Sequence, residues 1–276
     1  MFSLRDKVVV VTGGGRGIGR GIGLAMAEAG AAVVLTGRAA APLEATADAI
    51  RAAGGRALTL PGDITAPGAG EAIAAAATAA FGRLDGWVNN AGSAAPGDVG
   101  RLIDLDEGQW DRVLDLNLKA TFFAAQAAAR AMAAQGRGGA IVNITSRSGS
   151  QPNPMTGQYG AAKAGVENLT ATMAVEWGHL GIRVNGVAPG VVLTEEMGAW
   201  LSPEQQAKQV ESVPMGRLGR PEDVGPLCVY LVSDAAEWVS GTVVQLTGGS
   251  RVPVGYLAYL RRVNRERARA AGAAAG

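Results

Sequence analysis

Residues 11–19 read VTGGGRGIG, and the apolar run VVVV of residues 8–11 leads into them. Gly13, Gly17 and Gly19 are spaced G-x-x-x-G-x-G between a predicted strand and a predicted helix. Glycine there permits a positive φ and a close approach of the backbone to a ligand, while the helix directs its free N–H groups and positive dipole end at the turn. The stretch therefore predicts a pyrophosphate site, although taken alone it fits a flexible strand-to-helix connection equally well.

Short β-branched apolar runs alternate along the chain with alanine-rich segments of helical length. Runs that are apolar throughout are typical of parallel strands covered on both faces, so we expect one α/β domain built on a seven-stranded parallel sheet. The predicted strands are residues 8–12, 32–36, 57–60, 86–89, 140–145, 183–187 and 242–246. The predicted helices are residues 18–29, 41–53, 70–81, 107–135, 157–178 and 221–233.

The composition excludes several classes of protein. The net charge of +1 argues against nucleic acid as a partner, and no run of eighteen apolar residues suggests a membrane span. One cysteine, Cys228, rules out an intramolecular disulfide and multi-thiolate metal sites, and one histidine, His179, rules out two-histidine metal sites. The absence of G-x-S-x-G makes a nucleophile-elbow hydrolase a poor fit. We expect a cytoplasmic protein without a metal.

The chain divides into a main domain, residues 1–250, and a C-terminal extension, residues 251–276, that carries six arginines and one glutamate. The extension is predicted to be solvated or disordered, or alternatively to pack on a neighbouring subunit. Residues 188–215 contain Pro189, Gly190, Pro203 and Pro214 around a short helical piece. An excursion of this length is long enough to act as a lid, which we place at about 190–215.

Five ordered motifs resemble the short-chain dehydrogenase/reductase family, from about Asp6 to Gly249. They are TGGGRGIG at 12–19, NNAG at 89–92, LNL at 116–118, Ser146 ahead of YGAAK at 159–163, and PGVVLT at 189–194. The resemblance implies a single-domain Rossmann fold with a doubly wound parallel sheet, an NAD or NADP cofactor, and interconversion of alcohols and carbonyls. It also implies a homo-oligomer, often a tetramer; the small residues around the YGAAK motif would let another helix approach closely.

Tyr159 and Lys163 are four residues apart in a predicted helix and therefore lie on one face. An ammonium close to a phenol is expected to lower the phenol pKa toward the working range. The resemblance implies that Tyr159 is the general acid and base, that Lys163 also holds the ribose hydroxyls, and that Ser146, at the end of a strand, hydrogen-bonds the substrate oxygen. Thr145 and Ser148 are competitors by composition, but the thirteen-residue separation between Ser146 and Tyr159 is similar to that of the family, so the resemblance favours Ser146.

Asn117 lies in the predicted helix at 107–135, whose apolar positions face the core. A buried asparagine can simply satisfy backbone groups. The resemblance implies instead a link in a proton relay through Lys163 and water. Both interpretations are open on the sequence.

The second predicted strand ends in Gly37-Arg38, where an NAD-binding site would carry an acidic residue. Arg38 and Arg16, inside the glycine turn, could meet a 2′-phosphate bidentately. We therefore expect NADP(H), with NAD(H) as the alternative. The cofactor-binding residues that the turn and the resemblance imply are Gly13, Gly15, Arg16, Gly17, Ile18, Gly19, Arg38, Asp63, Ile64, Asn90, Ala91, Gly92, Tyr159, Lys163, Pro189, Gly190, Val192 and Thr194.

The leading hypothesis is an NADP-dependent carbonyl reductase or alcohol dehydrogenase acting on a small molecule. A dinucleotide-binding sensor or scaffold without turnover is a different class, and the intact Ser146, Tyr159 and Lys163 set argues against it. The identity of the substrate does not follow from the sequence.

Overall fold

The computed structural model describes residues 2–250, so the extension predicted at 251–276 lies outside the described residues. Within the described part, seven strands form one sheet. Their bounds are β1, Val8–Thr12; β2, Ala32–Gly37; β3, Arg56–Pro61; β4, Gly86–Asn89; β5, Gly139–Ile144; β6, Ile182–Pro189; and β7, Val243–Leu246. Each lies within about two residues of its predicted position, because an apolar run covered on both faces is a strong local signal.

The helices of residues 2–250 alternate with these strands. Their bounds are α1, Gly17–Glu28; α2, Ala40–Ala52; α3, Ala69–Phe81; α4, Glu107–Leu114; α5, Ala120–Gln135; α6, Gly157–Trp177; α7, Glu195–Trp200; α8, Pro203–Glu211; and α9, Pro221–Val232. None of the helices in this part of the chain is long and apolar enough to cross a membrane.

The strand order is β3-β2-β1-β4-β5-β6-β7, and every neighbouring pair is parallel. The order reverses between β1 and β4, and in such sheets ligands bind in the crevice at the carboxyl ends of the strands where the order reverses. This doubly wound seven-stranded sheet confirms the predicted Rossmann architecture.

The buried core lies in two layers, one on each face of the sheet. Strand β1 is buried throughout and alternates between them, with Val9 and Val11 in one layer and Val8 and Val10 in the other. Helices α1, α2 and α9 cover the first layer, and α3, α5 and α6 contribute to the second. The sheet is therefore rigid and shielded, which holds the loops at its carboxyl edge in place.

Two segments differ from the sequence prediction. The helix predicted at 107–135 is interrupted by a π-helical turn, Asp115–Lys119, between α4 and α5. The lid region contains two short helices, α7 and α8, where one helical piece was expected. The Asp106 side chain caps α4, and the Thr194 and Ser202 side chains cap α7 and α8. Local capping residues of this kind mark helix starts that the hydrophobic pattern alone does not reveal.

Candidate active site

A large cleft of about 1430 Å³ opens along the carboxyl edge of the sheet. The glycine turn, the ends of β2, β3 and β4, the loop after β5, the start of α6 and the segment after β6 all contribute to its walls. The cleft therefore brings together residues that are almost two hundred positions apart in sequence. This volume exceeds the roughly 300–1,000 Å³ that is typical of pockets for drug-sized ligands, so the cleft suits a larger ligand.

The glycine turn has the backbone conformation that the spacing predicted. Gly13 and Gly17 have φ of +66° and +49°, a region that side chains other than glycine rarely adopt. Helix α1 begins at Gly17, and its N-cap residue, Arg16, makes no side-chain cap hydrogen bond. The N–H groups of this first turn are not capped by a side chain, and together with the helix dipole they favour an anion.

Gly19 and Gly15 both lie close to other atoms of the fold. A methyl group at Gly19 would overlap the Gly13 carbonyl oxygen and approach Asn90 Nδ2 to 2.5 Å. A methyl group at Gly15 would instead lie 3.1 Å from Pro42 at the start of α2. Gly15 does not line the cleft, in contrast to Gly13, Gly17, Ile18 and Gly19, so its place among the cofactor-binding residues stays a prediction.

The Thr12 side chain, which sequence reasoning missed, organises the floor of the cleft. Its hydroxyl oxygen accepts hydrogen bonds of 2.9 Å from the backbone N–H groups of both Asn90 and Ala91. The Asn90 side chain in turn donates hydrogen bonds to the carbonyl oxygens of Thr12 and Gly13. These bonds tie the end of β4 to the glycine turn. The polar residue that ends the apolar run of β1 was the signal for this role.

The far end of the cleft carries the residues expected at the adenosine side. Gly37, Arg38, Asp63 and Ile64 line it, together with Arg16. Arg38 is exposed, and Arg16 lies 3.5 Å from Glu196 of α7 in an exposed ion pair. The pKa of Asp63 lies below its usual range, mainly because Thr65 donates hydrogen bonds to its carboxylate. Burial opposes this lowering, and the positive charge of Arg38 adds a smaller lowering contribution.

The segment after β6 closes the other wall, and Pro189, Gly190, Val192 and Thr194 all line the cleft. The Thr194 hydroxyl oxygen accepts a hydrogen bond of 3.2 Å from the Met197 N–H group and thereby caps α7. The Thr194 methyl group lies 3.0 Å from the position a side chain at Gly17 would take. The start of the predicted lid thus rests directly against the glycine turn.

Ser146, Tyr159 and Lys163 meet in the middle of the cleft. Ser146 follows β5, and its hydroxyl oxygen accepts a hydrogen bond of 3.1 Å from the Ser148 N–H group. A hydrogen bond joins Ser146 to Tyr159. The Lys163 ammonium is buried, donates to the Ile144 carbonyl oxygen at 3.0 Å, and lies 5.5 Å from the centre of the Tyr159 ring. The structure therefore places a hydroxyl, a phenol and an ammonium side by side.

The pKa of the Tyr159 phenol shifts in the direction opposite to the one expected. Burial raises it, and the hydrogen bond with Ser146 opposes that rise only in part. The expectation of a lowered pKa was wrong for this structure, because the free energy lost when a phenolate is removed from water exceeds the stabilisation that neighbouring groups give to the phenolate. Burial also lowers the pKa of Lys163 to about 8, since an ammonium loses hydration in the same way.

Asn117 is fully buried in the π-helical turn. Its side-chain nitrogen donates to the carbonyl oxygens of Ser93 and Val113, at 2.8 and 2.9 Å, as the structural interpretation expected. Its Oδ1 atom has no hydrogen-bond partner within residues 2–250. A methyl group at Gly92 would lie 2.6 Å from this oxygen and 3.1 Å from Lys163 Nζ. A buried acceptor without a partner is rare, and here it faces the space that only glycine at position 92 leaves open.

The pKa of Lys163 predicts a dependence of stability on pH. Between pH about 8 and about 10.5 the unfolded chain binds the lysine proton more strongly than the folded chain, so this residue's contribution to stability rises with pH. The measurement is the free energy of unfolding of wild type and Lys163→Met by urea at pH 7 to 10. The wild-type value should increase relative to that of the variant above pH 8.

Comparing wild type with Lys163→Met isolates the contribution of Lys163 to the pH dependence of stability. Burial raises the pKa of the Tyr159 phenol and raises the pKa of the Cys228 thiol to about 12, and both effects make stability fall as pH rises. Both groups are present in wild type and variant, so their effects largely cancel in the difference. A difference that stays constant from pH 7 to 10 would contradict the shift.

Comparison with known proteins agrees with this geometry. The family model described as enoyl-(acyl carrier protein) reductase matches residues 13–251. A cis-4-hydroxycyclohexanecarboxylate dehydrogenase from Sinomonas cyclohexanicum is 41% identical over 247 residues, which cover 90% of this chain and 97% of that protein. These matches extend far beyond the motifs.

Solved structures give the same result. A short-chain type dehydrogenase/reductase from Mycobacterium marinum is 37% identical, with a TM-score of 0.86 and coverage of 91% of this chain and 98% of that one. A 7α-hydroxysteroid dehydrogenase in complex with NADH and 7-oxo glycochenodeoxycholic acid is 35% identical, with a TM-score of 0.84 and coverage of 90% and 95%. With its motifs, its strand order and these matches in agreement, the chain belongs to the short-chain dehydrogenase/reductase family of oxidoreductases.

Proposed function

We propose that this protein is an NADP(H)-dependent oxidoreductase that interconverts a secondary alcohol and the corresponding carbonyl compound. The observation that carries the proposal is that Ser146, Tyr159 and Lys163 share one cleft with the glycine turn. A proton donor is of no use to a protein that only senses a dinucleotide. The relatives support the alcohol chemistry, because the names of two of them denote dehydrogenation of a hydroxycyclohexanecarboxylate and of a hydroxysteroid.

The cleft residues fit a dinucleotide. The two glycines with positive φ let the backbone approach a pyrophosphate, and the uncapped start of α1 supplies N–H groups for it. Asn90, Ala91 and Gly92 line the adjoining wall, and Thr194 and Val192 would hold the carboxamide end. When bound, the nicotinamide supplies or accepts the hydride.

The side chains of the chain itself handle the proton. Ser146 donates a hydrogen bond to the carbonyl oxygen, where negative charge develops, and Tyr159 donates its phenolic proton to that same oxygen. The raised pKa keeps Tyr159 protonated at neutral pH, which suits a proton donor. In the reverse direction the same phenol oxygen takes the proton back from the alcohol.

Lys163 and Asn117 support the proton donor. The Lys163 ammonium lies beside the phenol ring and would also hold the ribose hydroxyls. The unpartnered Asn117 Oδ1 is a suitable acceptor for a water molecule, consistent with a relay through Lys163. The two interpretations of Asn117 are therefore compatible, since its nitrogen serves the backbone while its oxygen is left for the relay.

We assign NADP(H) on the residues at the end of β2. Gly37 stands at the position where an acid would bind the ribose hydroxyls, and Arg38 and Arg16 line the same end of the cleft. NAD(H) is the alternative, and the 7α-hydroxysteroid dehydrogenase structure, which contains NADH, favours it.

Gly37→Asp should reverse the cofactor preference. A methyl group at Gly37 would meet only ordinary contacts, at 3.7 Å from Leu43 and 3.8 Å from Gly13, so the Cβ atom of an aspartate fits. Its carboxylate would repel a 2′-phosphate and accept hydrogen bonds from ribose hydroxyls, and we expect the ratio of kcat/KM for NADPH to that for NADH to fall about 100-fold. Gly37→Asn, of the same shape without the charge, should shift it much less. A ratio that does not change in the aspartate variant would refute the assignment that rests on Gly37.

The activity itself is tested by incubating the protein with NADPH or NADH and a panel of ketones while the absorbance of the reduced cofactor is followed. The panel should include 4-oxocyclohexanecarboxylate and a 7-oxo bile acid, chosen from the names of the relatives. Turnover of at least one ketone is the expected result. Cofactor binding without turnover of any ketone would favour the sensor.

We also propose a cytoplasmic homo-oligomer, a tetramer by the family norm. Ala161, Ala164 and Val175 are exposed on α6 and would leave room for a neighbouring helix. Gly160 and Gly165 do not contribute to such a face, since Ser148 and Leu118 of the same chain already approach them. Light scattering coupled to gel filtration measures the number of subunits directly.

A further inference from the structure

A basic side chain whose charged group has no partner within residues 2–250 stands next to the proposed reaction centre. Arg147 directly follows Ser146, begins the short 3-10 turn Arg147–Gly149, and lines the cleft together with Ser148 and Tyr159. It is only partly exposed. Within residues 2–250 its backbone carbonyl accepts hydrogen bonds from Ser150, but its guanidinium group makes no hydrogen bond or ion pair.

The guanidinium of Arg147 differs in this respect from most other basic groups of the cleft. Arg38 is the other basic group without a close partner in the described chain, but it lies at the opposite, adenosine end. The remaining basic groups each have a partner: Arg16 pairs with Glu196, Arg112 with Asp98 and Lys119 with Asp115, while Lys163 donates to the Ile144 carbonyl oxygen.

An unpaired guanidinium that is partly removed from water has lost hydration without gaining a counter-ion. A ligand with a negatively charged oxygen group would compensate for the lost hydration by acting as the counter-ion. A planar carboxylate matches the fork of guanidinium N–H groups in a bidentate arrangement and so would also orient the ligand. The neighbouring Ser146 hydroxyl is the group proposed to hold the substrate oxygen, so an anion on Arg147 would belong to the substrate.

We propose that Arg147 binds a carboxylate of the substrate, and that the protein therefore acts on a hydroxy acid and the matching keto acid. The inference rests on the proposed function for the position of the reacting carbonyl. The carboxylate takes no part in the redox step: the alcohol carbon gives up a hydride to the oxidised nicotinamide, and the alcohol oxygen gives up its proton to the phenolate form of Tyr159, which becomes the phenol.

The test compares a keto acid with its neutral counterpart. Wild type should reduce 4-oxocyclohexanecarboxylate with a kcat/KM at least about 10-fold above that for 4-oxocyclohexanecarboxamide. Arg147→Met keeps an unbranched apolar stem and removes the guanidinium group with its charge. It should lower kcat/KM for the acid by about 10- to 100-fold, mainly through KM, and lower the value for the amide much less. Arg147→Lys should restore part of the loss.

Arg137→Met is a matched control. Arg137 and Arg147 lie before and after β5, at opposite ends of the same strand, and Arg137 is exposed outside the cleft. Both variants lose one positive charge, so a general effect of net charge on an anionic substrate would appear in both. Only Arg147→Met should change the preference for the acid.

Binding of cyclohexanecarboxylate, which has no carbonyl to reduce, separates this inference from the proposed function. Calorimetry should detect its binding to wild type with NADPH present, weaker binding of cyclohexanecarboxamide, and loss of the acid's advantage in Arg147→Met. This result would support the role of Arg147 even if no ketone were turned over. If wild type bound the acid and the amide with equal affinity, the inference would be overturned. It would also be overturned if Arg147→Met lost as much affinity for NADPH as for the acid, because Arg147 would then serve the cofactor.

Discussion

Tyr159→Phe is expected to lower kcat by about 10²- to 10⁴-fold while changing the affinity for NADPH much less. The substitution removes only the phenolic hydroxyl, which is the group that meets Ser146 and would give its proton to the substrate oxygen. The ring itself remains beside the Lys163 ammonium, so the shape of the cleft is kept. Initial rates from cofactor absorbance, together with the cofactor dissociation constant from fluorescence, separate the two effects.

Tyr230→Phe is the matched control for that experiment. Tyr230 lies on α9, packs against Phe2 with 5.0 Å between ring centres, and does not line the cleft. Loss of its hydroxyl should leave kcat unchanged. If Tyr159→Phe retains kcat within about threefold of wild type, then Tyr159 is not the proton donor, and Ser146 or water would have to take its place.

Gly19→Ala should lower the free energy of unfolding by about 3 kcal/mol and abolish cofactor binding. The added methyl group would overlap the Gly13 carbonyl oxygen, a backbone atom that cannot rotate away as a side chain can. Relief requires the glycine turn to move, and the turn is held by the hydrogen bonds from Asn90 to the carbonyl oxygens of Thr12 and Gly13. Thermal or urea unfolding measures the first effect, and fluorescence titration with NADPH measures the second.

Gly178→Ala supplies the contrast. Gly178 follows α6 in a right-handed helical conformation, with φ of −57° and ψ of −37°, and a methyl group there would meet nothing within 4 Å. Alanine in such a conformation is expected to raise stability by about 0.4–1 kcal/mol, because it restricts the unfolded chain. Equal stability of Gly19→Ala and wild type would show that the turn is more pliable than the hydrogen bonds imply.

Local sequence patterns were enough for the sheet, the main helices and the conformation of the glycine turn. A strand covered on both faces is typically apolar throughout, and a turn with positive φ favours glycine. Both features can therefore be predicted from residues that are neighbours in the sequence. The motifs also identified Ser146, Tyr159 and Lys163, which the fold then brought into one cleft. Whether they perform the proposed chemistry is for the Tyr159 experiment to decide.

Other properties of the site depend on residues far apart in the chain. The pKa of Tyr159 follows from burial, which the four-residue spacing to Lys163 could not reveal. The π-helical turn around Asn117 follows no hydrophobic pattern that distinguishes it from an α-helix. The partners of Arg16 and Arg112 lie 180 and 14 residues away, so the isolation of Arg147 was equally invisible.

By itself, then, the sequence determined the Rossmann sheet and the bend at the glycine turn, because backbone conformation and burial pattern are set by near neighbours, and its motifs supplied the side chains that we propose to react. The tertiary structure alone decided which charges are neutralised, which way the phenol pKa moves and where an acceptor is left unpaired. Those properties depend on the dielectric surroundings and on contacts between distant segments, and neither exists until the chain has folded.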